Sequence, residues 1–434
     1  MRAGRRTRTG VVGLAAAAVA VTALATPARA GDEGGTPERQ RGGSHQLTQR
    51  AMDALVASGI PGVTTHARDA RGAWKGASGV GNLRTQAPRG TGDHFRIASI
   101  TKTFVATVLL QMEAEGRLDL DDTVERWLPG LVRGHGHDGR TMTVRQLLNH
   151  TSGVFDYAGD PEYNRKYISS PAFMKHRFET RSPLTAVRIA MTHPPTFPPG
   201  AAYQYSNTNY VLAGLVIEAV GGRDYEREVE RRIIGPLGLR STVMPRTDPR
   251  MPGPSGRAYT TFFSGPPSAG QKVYDVTLQN PTQSWADGDM ISTAADLNRF
   301  LSALLGGRLL APAQLKAMKD TVPNPRDPNS SYGLGLEATT IGCGITLWGH
   351  SGGWPGSLSN AVATEDGRHT LAYNINGDWL DQNSAGLFIG MQEAQFCGKD
   401  VTKGDQARGG GTAERAGKGT AVLGVPVNRA VPAP

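Results

Sequence analysis

The chain has 434 residues, 47 lysines and arginines against 38 aspartates and glutamates, and 38% hydrophobic residues. That length allows two to three domains or one large single-site enzyme with an ample core. Five arginines and no acids precede Gly31, and six basic against three acidic residues lie from Gly398 onward, so the body between is close to neutral and the formal charge of +9 does not signal nucleic-acid binding.

Residues 1–30 read as a signal peptide. Arg2, Arg5, Arg6 and Arg8 lead into an apolar run over 11–25, and Ala28-Arg-Ala30 offers a small-x-small cleavage site. The run is too short and alanine-rich for a comfortable span, so the expected protein is secreted and extracellular, with no membrane span once the signal is removed. Residues 31–44 read as a flexible leader. Residues 398–434, rich in Gly, Ala, Lys and Pro without a period, read as a disordered tail. Cys343 and Cys397 are the two cysteines. In an exported chain an even count favours a disulfide, with two buried free thiols as the alternative. His135-Gly-His137 sits in a glycine-rich loop and reads as a solvated turn; no Cys/His pattern has metal-ligand spacing.

In chain order, helical periodicity over 45–58 precedes two strands, 62–69 and 73–80, around the turn Ala70-Arg-Gly72. A wide apolar helix starts at Ser99 and runs to Gly116, a C-cap. A short amphipathic helix covers 143–150. Residues 154–200 are loop-rich, with a helix near 183–191. A strongly apolar helix over 207–220 is closed by Gly221-Gly222, a charged helix covers 225–234, and 244–273 is a proline- and glycine-rich surface loop. A helix over 293–305 has Thr293 as N-cap. Then come four strands, 332–336, 344–348, 359–364 and 370–375, and a last helix over 384–396. Strands at both ends with helices between predict an α/β plus all-α architecture: an antiparallel sheet flanked by helices, with a helical insert domain. The expected domains are 45–95 together with 281–397 (α/β) and 96–280 (mostly helical), with the active site at their join.

Three polar clusters carry chemistry. Ser99 and Lys102 lie at i and i+3 and share a helix face inside a strongly apolar segment. A serine hydroxyl needs a base, and a desolvated lysine has a lowered pKa that suits it to that task. The helix N-terminus beneath Ser99 favours developing negative charge. Tyr205-Ser-Asn207 follows Pro198-Pro-Gly200 and enters an apolar helix; the tyrosine can relay a proton and the amide can hold a peptide bond, or Asn207 caps the helix and Tyr205 packs. Gly349-His350-Ser351-Gly352-Gly353 is placed at the end of the strand 345–348 and the start of a turn, where His350 faces substrate or is a hydrogen-bonded structural histidine.

In this order and spacing, Ser99-x-x-Lys102, Tyr205-Ser-Asn207 and His350-Ser-Gly352 resemble the serine penicillin-recognising enzymes: DD-peptidases, class C β-lactamases and related esterases and D-aminopeptidases. The resemblance covers about residues 45–397. It extends to Gly116-Arg-Leu-Asp-Leu120, Thr143-Val-Arg-Gln146, Ser284-Trp-Ala286, Tyr332-Gly-Leu-Gly-Leu336 and Phe396-Cys-Gly398, and is greatest with secreted D-alanyl-D-alanine carboxypeptidases.

It implies a β-lactamase/DD-peptidase-like fold and a monomer working through an acyl-enzyme on Ser99, with no metal or organic cofactor. Lys102 would assist deprotonation, Tyr205 would pass the proton to the leaving amine, and Asn207 would hold the substrate amide. The backbone N–H groups of Ser99 and Gly353 would bind the oxyanion. His350 and Ser351 would face the substrate, and Trp285 would wall the pocket or simply pack. The implied substrates are peptidoglycan-type D-Ala-D-Ala peptides or small amides and esters, with β-lactams as acylating ligands.

Two departures bear on specificity. Gly353 stands where carboxypeptidase relatives place a second threonine. No Arg or Lys lies between Tyr332 and His350, where those relatives carry a carboxylate-binding arginine, and Glu337 lies there instead. A charge-assisted anchor contributes on the order of 1.5–3 kcal/mol. Its loss weighs toward esterase, D-aminopeptidase or amidase specificity.

Overall fold

Strands at the two ends of the chain cannot bury their apolar faces separately, and one antiparallel sheet takes them all. In the computed structural model, which describes residues 44–403, the chain enters through helix α1 (Ser44–Ala57) and the hairpin β1 (Gly62–Asp69)–β2 (Gly72–Gly79). The middle of the chain is helical: α2 (Thr101–Ala114), α3 (Val144–Leu148), α4 (Pro183–Ala190), α5 (Asn207–Gly221), α6 (Tyr225–Val229) and α7 (Ala294–Leu305). It then returns as β3 (Val322–Pro323), β4 (Ser330–Tyr332), β5 (Glu337–Thr340), β6 (Thr346–Trp354), β7 (Ser357–Ala363) and β8 (Thr370–Ile375). Helix α8 (Gln382–Gln392) follows. The strand order is β2-β1-β8-β7-β6-β5-β4-β3, and Val63 opposite Ile375 joins the first strand to the last. This is the expected antiparallel sheet flanked by helices.

Alternation along the central strands divides two cores. Ala361, Ala363 and Ala372 face a core that includes Leu297 and Phe300 of α7, while Val362, Leu371 and Tyr373 join Met52 and Leu55 of α1 and Phe388 and Met391 of α8. Small residues on the first face let α7 lie close to the sheet. Helix α2 is buried from Thr101 through Leu110, and its Phe104 stacks on Phe300 with ring centroids 3.7 Å apart. A helix apolar on every side belongs in a core. The buried lysine at its start therefore needs partners.

The glycines of 333–353 account for two differences from the sequence reading. The segment 332–336 is not a strand: β4 ends at Tyr332, and Gly335 turns with φ +70°. A Cβ on Gly335 would lie 2.6 Å from Ala106 and 3.0 Å from the Lys102 carbonyl, so this turn packs directly on α2. Conversely, β6 does not stop at Trp348 but runs through Trp354, so His350 and Ser351 are inside a strand. Gly349 and Gly352 serve close approach there: their Cβ atoms would lie 1.9 Å from the Ala361 carbonyl oxygen and 2.2 Å from the Ile97 carbonyl oxygen.

The helices expected at 225–234 and 384–396 both loosen into a π turn, over Glu230–Ile234 and Glu393–Cys397. Helices Pro161–Tyr167 and Pro312–Met318, missed in the sequence, each have proline in the first turn. Part of 244–273 is ordered by a short pairing of Tyr259–Thr260 with Tyr274–Asp275. His137 is buried rather than solvated. The expected signal peptide, all of the leader up to residue 43, and the tail beyond 403 lie outside the described residues. Among the described residues no helix is long and apolar enough to cross a membrane.

Cys343 and Cys397 are bonded, tying the loop before β6 to the turn after α8 across 54 residues. Replacing both with serine is expected to lower the unfolding free energy by about 2–4 kcal/mol, read from the denaturant midpoint in non-reducing buffer.

Candidate active site

Ser99 lies in a single 3₁₀ turn, Ala98–Ile100, that leads into α2. The residue before it, Ala98, has φ +47°, a left-handed conformation uncommon for a residue with a Cβ. One turn on, Lys102 is fully buried, and its Nζ donates to Ser99 Oγ at 2.9 Å, to Asn207 Oδ1 at 2.9 Å and to the Asp287 carbonyl oxygen at 2.8 Å. Burial lowers the Lys102 pKa to about 8, against the upward pull of Asp287, Asp156 and Glu337. In the neutral amine, Asn207 and Asp287 take the two N–H bonds and the lone pair is left for the Ser99 hydroxyl. This arrangement can remove the serine proton.

Tyr205 stands beside that pair. Its ring centroid is 5.0 Å from Lys102 Nζ and 4.2 Å from the His150 ring. Its hydroxyl is buried without a hydrogen-bond partner of good geometry. Burial holds its pKa well above the ordinary value, and the nearby Ser99 hydroxyl pulls it only partly back. Tyr205 is therefore a neutral phenol that keeps its proton until a strong base forms next to it.

Asn207 begins α5 with its amide engaged at both ends: Oδ1 accepts from Lys102, while Nδ2 donates to Asp156 Oδ2 at 3.2 Å. Asp156 also accepts the Asn207 backbone N–H at 3.1 Å. The helix start is thus capped by a carboxylate from another segment, and Asn207 itself orients Lys102. Only the second Nδ2 proton is left for a ligand.

A cleft open to solvent lies in front of Ser99. Ala98, Ser99, Tyr157, Asn207, Asp287 and Gly288 line it, together with Phe263, Gly353, Trp354 and Pro355. Ser99 and Gly353, the two positions expected to present oxyanion donors, thus face the same space.

Of the two readings open for each of His350 and Trp285, the structure has the packed one. His350 is 1% exposed and is not among the residues that line the cleft. Its Nδ1 pairs with the Ser351 carbonyl oxygen at 2.6 Å and its Nε2 accepts from Tyr332 Oη at 2.8 Å, which fixes one neutral tautomer. Burial lowers its pKa, so it is a hydrogen-bonded structural histidine at neutral pH. Trp285 lies edge-on to Tyr225 at 4.7 Å, over Gly214, and lines a separate depression with Tyr163 and Arg181. Asp287, two residues on, holds the wall position instead.

Ser351 is tied to Glu337, its N–H donating at 3.2 Å and its hydroxyl at 3.1 Å to the two carboxylate oxygens. Among the described residues, Glu337 and Asp287 form no ion pair with an arginine or lysine. Asp287 accepts from Tyr157 Oη at 2.6 Å, and burial raises its pKa to about 7 against the pull of Lys102 and that bond.

Sequence reasoning missed four site residues: His150, Asp156, Tyr157 and Asp287. His150 is fully buried under the Tyr205 ring, its Nδ1 accepting from the Ser206 N–H at 3.3 Å. The available signals were Asn149-His150-Thr151-Ser152-Gly153, a polar stretch after an apolar helix, and the acid that follows Ser284-Trp-Ala286.

The sequence matches the Beta-lactamase family over residues 48–393. A solved structure of a D-stereospecific amidohydrolase from a Streptomyces species superposes with a TM-score of 0.75 at 50% identity, covering 82% of this chain and 99% of that one. D-amino acid amidase from Ochrobactrum anthropi SV3, complexed with D-phenylalanine, superposes at 0.70 with 29% identity over 82% and 99% of the two chains. Penicillin-binding protein 4* of Bacillus subtilis is 28% identical over 69% of this chain and 64% of its own length. A putative D-alanyl-D-alanine carboxypeptidase of Escherichia coli K12 is 29% identical over 41% and 39%. The chain therefore spans less than two thirds of these curated relatives. The family match across most of the chain, and a serine and lysine in contact at the start of a buried helix, agree: the chain belongs to the β-lactamase and penicillin-binding-protein family and is a serine hydrolase of that fold.

Proposed function

We propose that this protein hydrolyses D-aminoacyl amides, esters and short peptides that carry a free α-ammonium group, through an acyl-enzyme on Ser99. The observation that carries this reading is the charge of the site. Apart from Lys102, the ionisable groups around Ser99 that act on Lys102 are the carboxyls Asp287, Asp156 and Glu337. Glu337 lies where a carboxypeptidase would need a cation. A substrate ammonium is attracted to such a site, and a free terminal carboxylate is repelled. The 50% identical amidohydrolase and the D-amino acid amidase support the same class.

In the proposed cycle, Ser99 Oγ attacks the carbonyl carbon as its proton passes to Lys102 Nζ. The tetrahedral oxyanion is held by backbone N–H groups at Ser99 and Gly353. Tyr205, adjacent to both Ser99 and Lys102, relays that proton to the departing amine or alkoxide. Water then attacks the acyl-enzyme carbonyl as its proton passes to the neutral Lys102 amine, and Lys102 returns that proton to Ser99 Oγ as the ester C–O bond breaks. A cleft at the join of a unit 45–95 with 281–397 and a unit 96–280 is part of this reading. That division, export by the signal peptide and a monomeric state belong to the same reading.

A second reading, D-alanyl-D-alanine carboxypeptidase with β-lactam acylation, is favoured by the names of the curated relatives. D-phenylalanine amide compared with diacetyl-Lys-D-Ala-D-Ala decides between them. Faster release of ammonia than of D-alanine is expected, and the reverse would establish the carboxypeptidase. Ser99→Ala is expected to lower kcat by at least about 10³-fold on either substrate and to abolish labelling by fluorescent penicillin if the wild type is labelled. Measured activity of Ser99→Ala near the wild-type value would rule out the acyl-enzyme.

Because the neutral amine is the base, kcat/KM for N-acetyl-D-phenylalanine amide, which has no ammonium of its own to titrate, is expected to rise with pH and level off above about 8, the Lys102 value. A flat profile between pH 6 and 9 would contradict this assignment. Glu337→Gln is expected to raise KM for D-phenylalanine amide about tenfold while leaving its N-acetyl counterpart little changed, since one charge-assisted contact is lost.

A further inference from the structure

Part of the cleft lining comes from two loops distant in sequence. One carries Phe263; the other, at the turn after β6, carries Trp354 and Pro355. Both loops are strained or tight. Phe262 and Phe263 have φ of +56° and +59°, consecutive left-handed residues with bulky side chains. Gly356 has φ +78°, and a Cβ there would lie 2.7 Å from Val276 and 2.8 Å from the Tyr259 backbone nitrogen.

One side chain binds both. Asp378, just after β8, is 3% exposed and makes no ion pair among the described residues. Its Oδ1 accepts the Thr261 N–H at 3.1 Å. Its Oδ2 accepts the Gly356 N–H at 3.0 Å and a short bond from the Thr260 hydroxyl. The Thr260 oxygen in turn accepts the Phe262 N–H at 2.6 Å, so the carboxylate reaches the first left-handed residue through it. Phe262 packs with Phe173 and Val276, and Trp354 packs against that cluster, so the two loops also meet through their side chains. A carboxylate buried without a cation is costly, and it persists only where the donors around it are fixed.

We propose that Asp378 is a positioning residue for substrate selection. It clamps the Thr260–Phe263 loop to the Trp354–Gly356 turn, and the clamp holds Phe263 and Trp354 as a rigid apolar wall facing Ser99. The wall takes an aromatic group of the substrate, on either the acyl or the leaving side. This deepens the substrate class proposed above and rests on that reading.

Asp378→Asn tests the clamp. Its amide can accept on one side only, so either Thr261 or the Gly356 and Thr260 pair loses its acceptor. KM is measured for D-phenylalanine amide against D-alanine amide, and for D-alanine benzyl ester against D-alanine methyl ester. In at least one pair, KM for the phenyl-bearing substrate is expected to rise about tenfold more than for its partner. Phe263→Ala, which removes part of the wall and leaves Asp378 in place, is expected to reproduce that selectivity loss. The double variant is expected to add little to either. Equal KM changes within both pairs, or full additivity, would overturn the proposal. Amide hydrogen exchange at Thr261 and Gly356 needs no turnover and keeps the two readings separate. Faster exchange in Asp378→Asn, with none of the four substrates hydrolysed by the wild type, removes the substrate class and leaves the clamp standing; unchanged exchange removes the clamp.

Discussion

The buried ammonium of Lys102 is the constraint to which the rest of the site conforms. A lysine with no solvent contact is tolerated only if each of its donors is met, and three groups from three parts of the chain meet them. Ser99 comes from the preceding turn, Asn207 from the start of α5, and the Asp287 carbonyl from the loop before α7. Two of these are fixed in turn by a second partner: Asn207 by Asp156, and Asp287 by Tyr157. The lowered pKa of Lys102 follows from the same burial. The cost of placing the lysine there and its suitability as a base are one physical fact.

The sheet supplies the other half of the site through backbone rather than side chains. β6 passes close to the Ser99 segment because Gly352 leaves room for the Ile97 carbonyl oxygen. Its histidine is turned inward onto Tyr332, and its serine is held by Glu337. What the strand presents to the cleft is therefore Gly353 and the aromatic turn beyond it. Acidic groups near Lys102 and the apolar side chains of Phe263, Trp354 and Pro355 are the features behind the substrate class proposed above. The tyrosines and histidines behind Tyr205 form a neutral buried layer, since burial raises every phenol there and lowers both imidazoles. A layer without charge leaves Lys102 as the buried cationic group in hydrogen-bond contact with Ser99.

Much of this was legible in the sequence because it depends on local rules. Periodicity located α2, α5 and α7, and the Thr293 cap marked a helix start that the structure retains. Ser99 and Lys102 share a face by helix geometry alone, and their contact needs nothing from the rest of the chain. Misreadings fell where a residue type has two uses. Glycines at 349 and 352 suggest the end of a strand and the start of a turn but serve close packing within a strand, and Gly335 falls in an expected strand but makes a turn.

Sequence by itself determined the pairing of serine with lysine, the helical middle between two sets of strands, and the family, because these rest on spacing within short segments. Tertiary structure alone decided what surrounds the serine. Asp156, Asp287 and Glu337 are far apart in the chain and acquire meaning only when folding places them around one buried amine. Likewise, of the two readings the sequence left open for His350 and Trp285, burial of a strand face and of an aromatic ring selects the packed one. Local geometry fixes which atoms can react, whereas long-range packing fixes the field and the walls that select the substrate.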